Sequence, residues 1–218
     1  SNLTKRRVNL AETQVIEDKV MAKLALDPMD VPLEEKVEYI MEVNKLLLTS
    51  DKRIKSAQTY YGDMRVFQIF SNSEGTYIEE EKVYVYFFSN IAGMENGTKA
   101  SARESYGSTK GYTIVKENPP ESFVKILVDR VIKQLKAKSP KRGSFPAVIG
   151  PRVIGLFTHE AFGHLSEADL AFTGAVTIQK MGQKVASDIV NIVDDGTLPE
   201  AFGSFKYDDE GVKTQKTI

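Results

Sequence analysis

The hydrophobic period of this chain changes twice between residues 32 and 135, and that change constrains the fold more than any other feature. Pro32 opens a segment in which Val37, Ile40, Met41, Leu47 and Leu48 fall near one helical stripe. Proline suits a first helical turn, and Glu34 and Glu35 complement the helix dipole there. From Arg53 the period drops to two. Ile54, Ser56, Gln58 and Tyr60 alternate with Lys55, Ala57, Thr59 and Tyr61, and "DMRVFQIF" follows. The turn signal "SNSEG" at 71–75 separates this from "TYIEEEKVYVYFFSNIA", rich in β-branched and aromatic residues. Asn96-Gly97 is a hairpin signal, and "TKASARESYGSTKGYTIV" reads as a further strand. After Pro119-Pro120-Glu121 the helical period returns, with Phe123, Val124, Leu127, Val128, Val131, Ile132 and Leu135 at three- and four-residue intervals. The fold class that follows is α+β. An antiparallel meander from about 53 to 108 packs with amphipathic helices near 33–49 and 121–138.

The flanking segments are less periodic. Residues 3–26 carry Leu3, Leu10, Val15, Val20, Met21, Leu24 and Leu26 among charges, a loose helical pattern that Asp27-Pro28 ends. "PAVIG" at 146–150 reads as a short buried strand. Pro151 can then cap a helix containing Val153 to His164. Ile189–Val193 with "DDGT", and then "GSFKYDDEG", read as short strands ending in acidic glycine turns. Two regions follow: 1–145, an N-terminal α+β region, and 146–218, a strand–helix unit that starts a second domain.

Composition narrows the function classes. The net charge is −1, so no long-range field draws the chain to nucleic acid or to an anionic membrane. The basic runs Lys5-Arg6-Arg7 and Lys136 to Arg142 are short, lack interleaved aromatics and read as solvated faces. No apolar run approaches the ~20 residues of a membrane span. Neither a membrane nor a nucleic-acid partner is expected. The chain has no cysteine, which removes disulfides, thiolate nucleophiles and cysteine ligands from these residues and suits a cytoplasmic protein.

Both histidines of the chain lie in "THEAFGH", residues 158–164. A catalytic zinc uses neutral imidazoles, an open position for water and a carboxylate to take the water's proton. His159 and His164 supply the imidazoles and Glu160 the carboxylate. The spacing is five, not the four of H-E-x-x-H. Residues four apart on an α-helix are offset by about 40°, whereas five apart gives about 140°. A regular helix therefore turns the two rings to different sides, and a π-bulge or kink at Ala161 to Gly163 is needed to bring them together. Gly163 is placed to tolerate an unusual backbone. Glu167 and Asp169 follow the motif and read either as ligands or as helix-end solvation. Asp194-Asp195 and Asp208-Asp209 sit in glycine turns without the spacing of a calcium loop.

The stretch "VIGLFTHEAFGHLSEAD" resembles the signature of the TldD/PmbA family of metallopeptidases. The later "VASDIVNIVDDGT" and "GSFKYDDEG" are similar to that family's continuation. The matching run covers about 146–211, and the TldD branch is the one that carries H-E-x-x-x-H. The resemblance implies a zinc-dependent peptidase acting on unfolded or flexible peptides, paired with a homologous TldD- or PmbA-type subunit. It implies His159 and His164 as zinc ligands, Glu160 as general base, and 146–218 as the start of the metallopeptidase domain. Family members draw a further ligand, a cysteine, from a domain well downstream and are roughly twice as long. The chain therefore reads as a middle piece, with zinc at low occupancy and little activity alone. The competing reading is a non-catalytic peptide-binding or assembly subunit of such a complex.

Overall fold

The computed structural model describes residues 13–167, 169–170, 174 and 176–217. It divides into two compact units: residues 1–138 with 196–215, and residues 139–195 with 216–218.

The first unit is built on one sheet. The strands are β1 (Glu17–Val20), β2 (Ile54–Ser71), β3 (Tyr77–Glu95) and β4 (Thr98–Ser108). β3 is central. β2 runs antiparallel along one of its edges from Ile54↔Gly93 to Ser71↔Tyr77. β4 pairs antiparallel with the second half of β3, and β1 pairs parallel with its first four residues. The alternating run from Ile54 and the "DMRVFQIF" that follows it are therefore one continuous strand. The β3–β4 hairpin turns at Asn96 and Gly97, with φ of 49° and 82°. Both values are positive, which a two-residue type I′ turn requires and which Asn-Gly tolerates best. At the β2–β3 turn, Asn72 Oδ1 accepts from the N–H groups of Glu74 and Thr76.

Two helices cover one face of this sheet: α1 (Leu33–Ser50) and α3 (Pro120–Leu135), with a short α2 (Thr113–Lys116) between β4 and α3. The apolar stripe of α3 is the one its period announces. Phe123, Val124, Leu127, Val131 and Leu135 are buried, and Val128 and Ile132 pack against them. They meet Val85, Phe87 and Ile91 of β3, and Val43 and Leu47 of α1. The Phe87 ring is edge-on to Tyr39 and to Phe123, each with centroids 5.4 Å apart. A Cβ at Gly93 would lie 2.6 Å from Val131 Cγ1, so glycine sets how closely α3 approaches the sheet. Residues 196–215 close over the sheet's other elements. Phe202 packs on Tyr84 and Tyr86, and the Asp18 carboxylate of β1 accepts from Lys206 Nζ at 2.6 Å and from the Tyr207 hydroxyl.

Several local expectations are corrected. Residues 13–26 contain no helix (3–12 lie outside the described residues). Glu17–Val20 is a strand, because pairing with Tyr77–Glu80 satisfies backbone groups that a weak helical period cannot outweigh. The stripe of α1 holds only in part: Leu47 is buried as read in sequence, Val43 joins it, and Val37, Met41 and Leu48 stay exposed. β4 ends at Ser108, and the residues read as its continuation turn into α2. "PAVIG" is irregular and exposed, with Val148 fully in solvent. A strand needs a hydrogen-bonding neighbour, and none pairs with it among the described residues.

The second unit holds α4 (Pro151–Thr158), with Pro151 in its first turn as expected. Ile189–Val193 is not a strand. Pairing falls one step later, where β5 (Asp194–Asp195) runs antiparallel to β6 (Lys216–Thr217). In the first unit, "GSFKYDDEG" is not a strand, Tyr207 making only an isolated bridge to Lys213, but it ends in the acidic glycine turn: Asp208 Oδ1 accepts from the N–H groups of Glu210 and Val212, and Gly211 has φ of 77°.

Candidate metal centre

α4 does not continue regularly into the histidine motif. From His159 to Gly163 the backbone forms a π turn, and His164 to Ser166 tightens into a 3-10 turn. The His164 N–H donates to the His159 carbonyl five residues back. One extra residue per turn reduces the ~140° offset of a regular helix, so both rings project to the same side. Their centroids are 4.4 Å apart with planes at 67°. The expected distortion at 161–163 is therefore present, but its cause differs from the one read in sequence. Gly163 has φ −54° and ψ −59°, ordinary helical values, and a Cβ there would meet nothing closer than 3.8 Å. The π turn does not depend on glycine's conformational freedom.

One ligand atom each from His159, Glu160 and His164 lies within 4.8 Å of the others. Tetrahedral zinc with bonds of about 2.0–2.1 Å would hold its ligand atoms roughly 3.3 Å apart, so this set is open rather than collapsed. Two imidazoles and a carboxylate converging on one side suit a borderline-soft divalent cation such as zinc. His164 Nε2 lies 3.7 Å from Glu160 Oε2, too far for a direct hydrogen bond. The other ring nitrogen, Nδ1, is 2.8 Å from Glu167 Oε1. All three side chains of this row are accessible, with His164 at 44%, Glu160 at 61% and Glu167 at 48% of full exposure, so the group is open to solvent and to a ligand from another segment.

The remaining acidic candidates lie elsewhere. The Asp169 carboxylate accepts from the N–H of Leu170. Asp195 in β5 faces Lys216 at 3.9 Å, and Asp208 is occupied by its own turn. The contact of Glu167 with His164 was the signal missed in sequence. Residues three apart on a 3-10 turn eclipse one another, but nothing local marks 164–166 as 3-10 rather than α. Among the described residues, no helix is long and apolar enough to cross a membrane.

The chain is similar to known metallopeptidases. Residues 26–137 match the model of the PmbA/TldA metallopeptidase central domain, and 142–218 that of the C-terminal domain of the same proteins. The chain is 35% identical over 219 residues to a metalloprotease of Methanocaldococcus jannaschii, covering 99% of this chain and 47% of that protein. It is 30% identical over 181 residues to a zinc metalloprotease TldD homolog of Saccharolobus solfataricus, covering 83% of this chain and 40% of that one. It thus spans less than half the length of either relative. A Thermotoga maritima crystal structure described as a modulator of a DNA gyrase superimposes with a TM-score of 0.78 over 99% of this chain and 49% of its own, at 19% identity, a likeness of fold. With one family model covering more than half of its residues and a second covering most of the rest, the chain belongs to the PmbA/TldD family of metallopeptidases.

Proposed function

We propose that the protein is a zinc-dependent peptidase that hydrolyses unfolded or flexible peptides in the cytoplasm, working with a homologous TldD- or PmbA-type subunit. The observation that carries this reading is the π turn that gathers His159, Glu160 and His164 within one ligand-sized space. The names of its relatives supply the metal and the reaction class. In this reading 146–218 begins the metallopeptidase domain. His159 and His164 hold the metal through neutral imidazole nitrogens. A bound zinc would supply Lewis-acid polarisation of a water and of the peptide carbonyl. Glu160 takes the proton from the attacking water and returns it to the leaving amine. The exposure of the group suits an extended backbone, which a deep pocket would exclude. Two histidines are fewer than the three protein ligands usual in catalytic zinc sites, so a further ligand, a cysteine in the family pattern, comes from outside these residues.

A second reading, a non-catalytic peptide-binding or assembly subunit, draws on β2. Its outer edge pairs with no other strand among the described residues and carries exposed Phe67 and Ile69 beside it. Zinc removal from the full-length protein separates the two. The peptidase reading expects hydrolysis of an unstructured peptide to stop on chelation and return with added zinc. Hydrolysis indifferent to chelation, or absent from the zinc-loaded full-length protein with its partner subunit, would reject it.

A further inference from the structure

We propose that Glu167 is a positioning residue that fixes the tautomer of His164, placing the proton on Nδ1 and leaving the lone pair of Nε2 free for the metal. The inference rests on the reading of His164 as a ligand. Its own evidence is the contact between His164 Nδ1 and Glu167 Oε1 at 2.8 Å. An ionised carboxylate only accepts, so the nitrogen facing it has to carry the hydrogen. A neutral imidazole has one N–H and one lone pair, and the lone pair is then on Nε2. Nε2 is also the nitrogen that faces the Glu160 carboxylate, at 3.7 Å. The two carboxylates thus sit against different nitrogens of one ring.

The backbone explains why Glu167 reaches that nitrogen. The π turn aligns residues five apart and brings His159 beside His164. Directly after it, the 3-10 turn eclipses residues three apart and brings Glu167 over His164. The Glu167 N–H donates to the His164 carbonyl at 3.3 Å, and Ser166 Oγ donates to the Phe162 carbonyl, joining the second turn to the first. At Glu167 the backbone leaves the turn with ψ of 134°. A wide turn and a tight turn in succession therefore set both sides of one imidazole. Metal-bound histidines commonly donate their other N–H to a carboxylate, which fixes the ring and raises its basicity.

The test needs no metal for its first arm. The chain has only two histidines, so 15N-histidine labelling gives two imidazoles, and a His159→Gln variant assigns them. The spectra are recorded at alkaline pH, where a free imidazole is neutral. In the wild-type chain we expect long-range 1H–15N correlations to show His164 protonated on Nδ1. In Glu167→Ala the proton should move to Nε2, the nitrogen a free imidazole prefers. Glu167→Gln, whose amide oxygen still accepts, should keep it on Nδ1. In the second arm, competition against a chromophoric chelator should show zinc affinity falling about 10–100-fold in Glu167→Ala and less in Glu167→Gln. Glu167 is half exposed, and the amide spectrum of the sheet unit reports whether each variant folds. A wild-type His164 protonated on Nε2, a tautomer unchanged in Glu167→Ala, or undiminished zinc affinity in that variant overturns the inference. The tautomer is read without zinc or turnover, so failure here is separable from failure of the peptidase reading.

Discussion

The N–H of His164 donates to the carbonyl of His159, five residues back along the chain. This one hydrogen bond converts an unfavourable spacing into a shared face, with the two ring centroids 4.4 Å apart. Glu160, four residues before the second histidine, lies with its carboxylate 3.7 Å from His164 Nε2.

Replacing Glu160 by Gln in the full-length protein should reduce peptide hydrolysis by about 10²–10⁴-fold, the usual share of a general base. Zinc content should stay unchanged, because both imidazoles remain. Turnover and zinc stoichiometry measured on the same preparation check this. Unchanged turnover would exclude Glu160 as the base.

The 218-residue chain by itself should bind zinc weakly. It has two histidines and no cysteine, so only a carboxylate can add to the imidazoles, and affinity follows the number and readiness of ligands. Elemental analysis after dialysis against a mild chelator should find far less than one zinc per chain. Stoichiometric zinc surviving that treatment would mean the set is complete within these residues.

Asp18 links β1 to the 196–215 segment, and its carboxyl is held down to about 2 by hydrogen bonds from Lys206 first and Tyr207 second. A depressed folded value means stabilisation that is present above the ordinary carboxylate range and lost as pH falls from about 4 towards about 2. Asp18→Asn should therefore lower the neutral plateau of a stability–pH profile and flatten its acid limb in that window. Denaturant midpoints collected from pH 2 to 7 would show it. An unchanged acid limb would mean the link carries no net stability.

Leu127 and Met41 test which helical faces carry the core. Leu127 is fully buried on α3, and truncation to Ala should cost about 2–5 kcal/mol. Met41 looks equally apolar in sequence but is 63% exposed on α1, and its truncation should stay within about 0.5 kcal/mol. Urea unfolding of both variants decides between these assignments; equal losses would contradict the packing of α1.

Where a residue's environment comes from its immediate neighbours, the sequence alone was sufficient. The seven apolar positions of α3, the alternation along β2 and β3, and the Asn96-Gly97 turn each follow from local period or local φ. The identity of the candidate metal residues was legible too, because two imidazoles and a carboxylate within six positions are a chemical pattern before they are a geometric one. Tertiary structure decided the rest, wherever the partner of a backbone or side chain is remote. Glu17–Val20 is a strand because Tyr77–Glu80 offers it an edge sixty residues away. "PAVIG" has the residues of a strand but no neighbour to bond among those described. On α1, the contact with the sheet and α3 kept Leu47, added Val43 and left Val37 and Met41 out, since several apolar rows competed for one core. The succession of a π turn and a 3-10 turn left no mark in composition. Such turns differ from an α-helix by small dihedral shifts that any of these residues can adopt, so His164's two carboxylate neighbours became visible only in the folded chain.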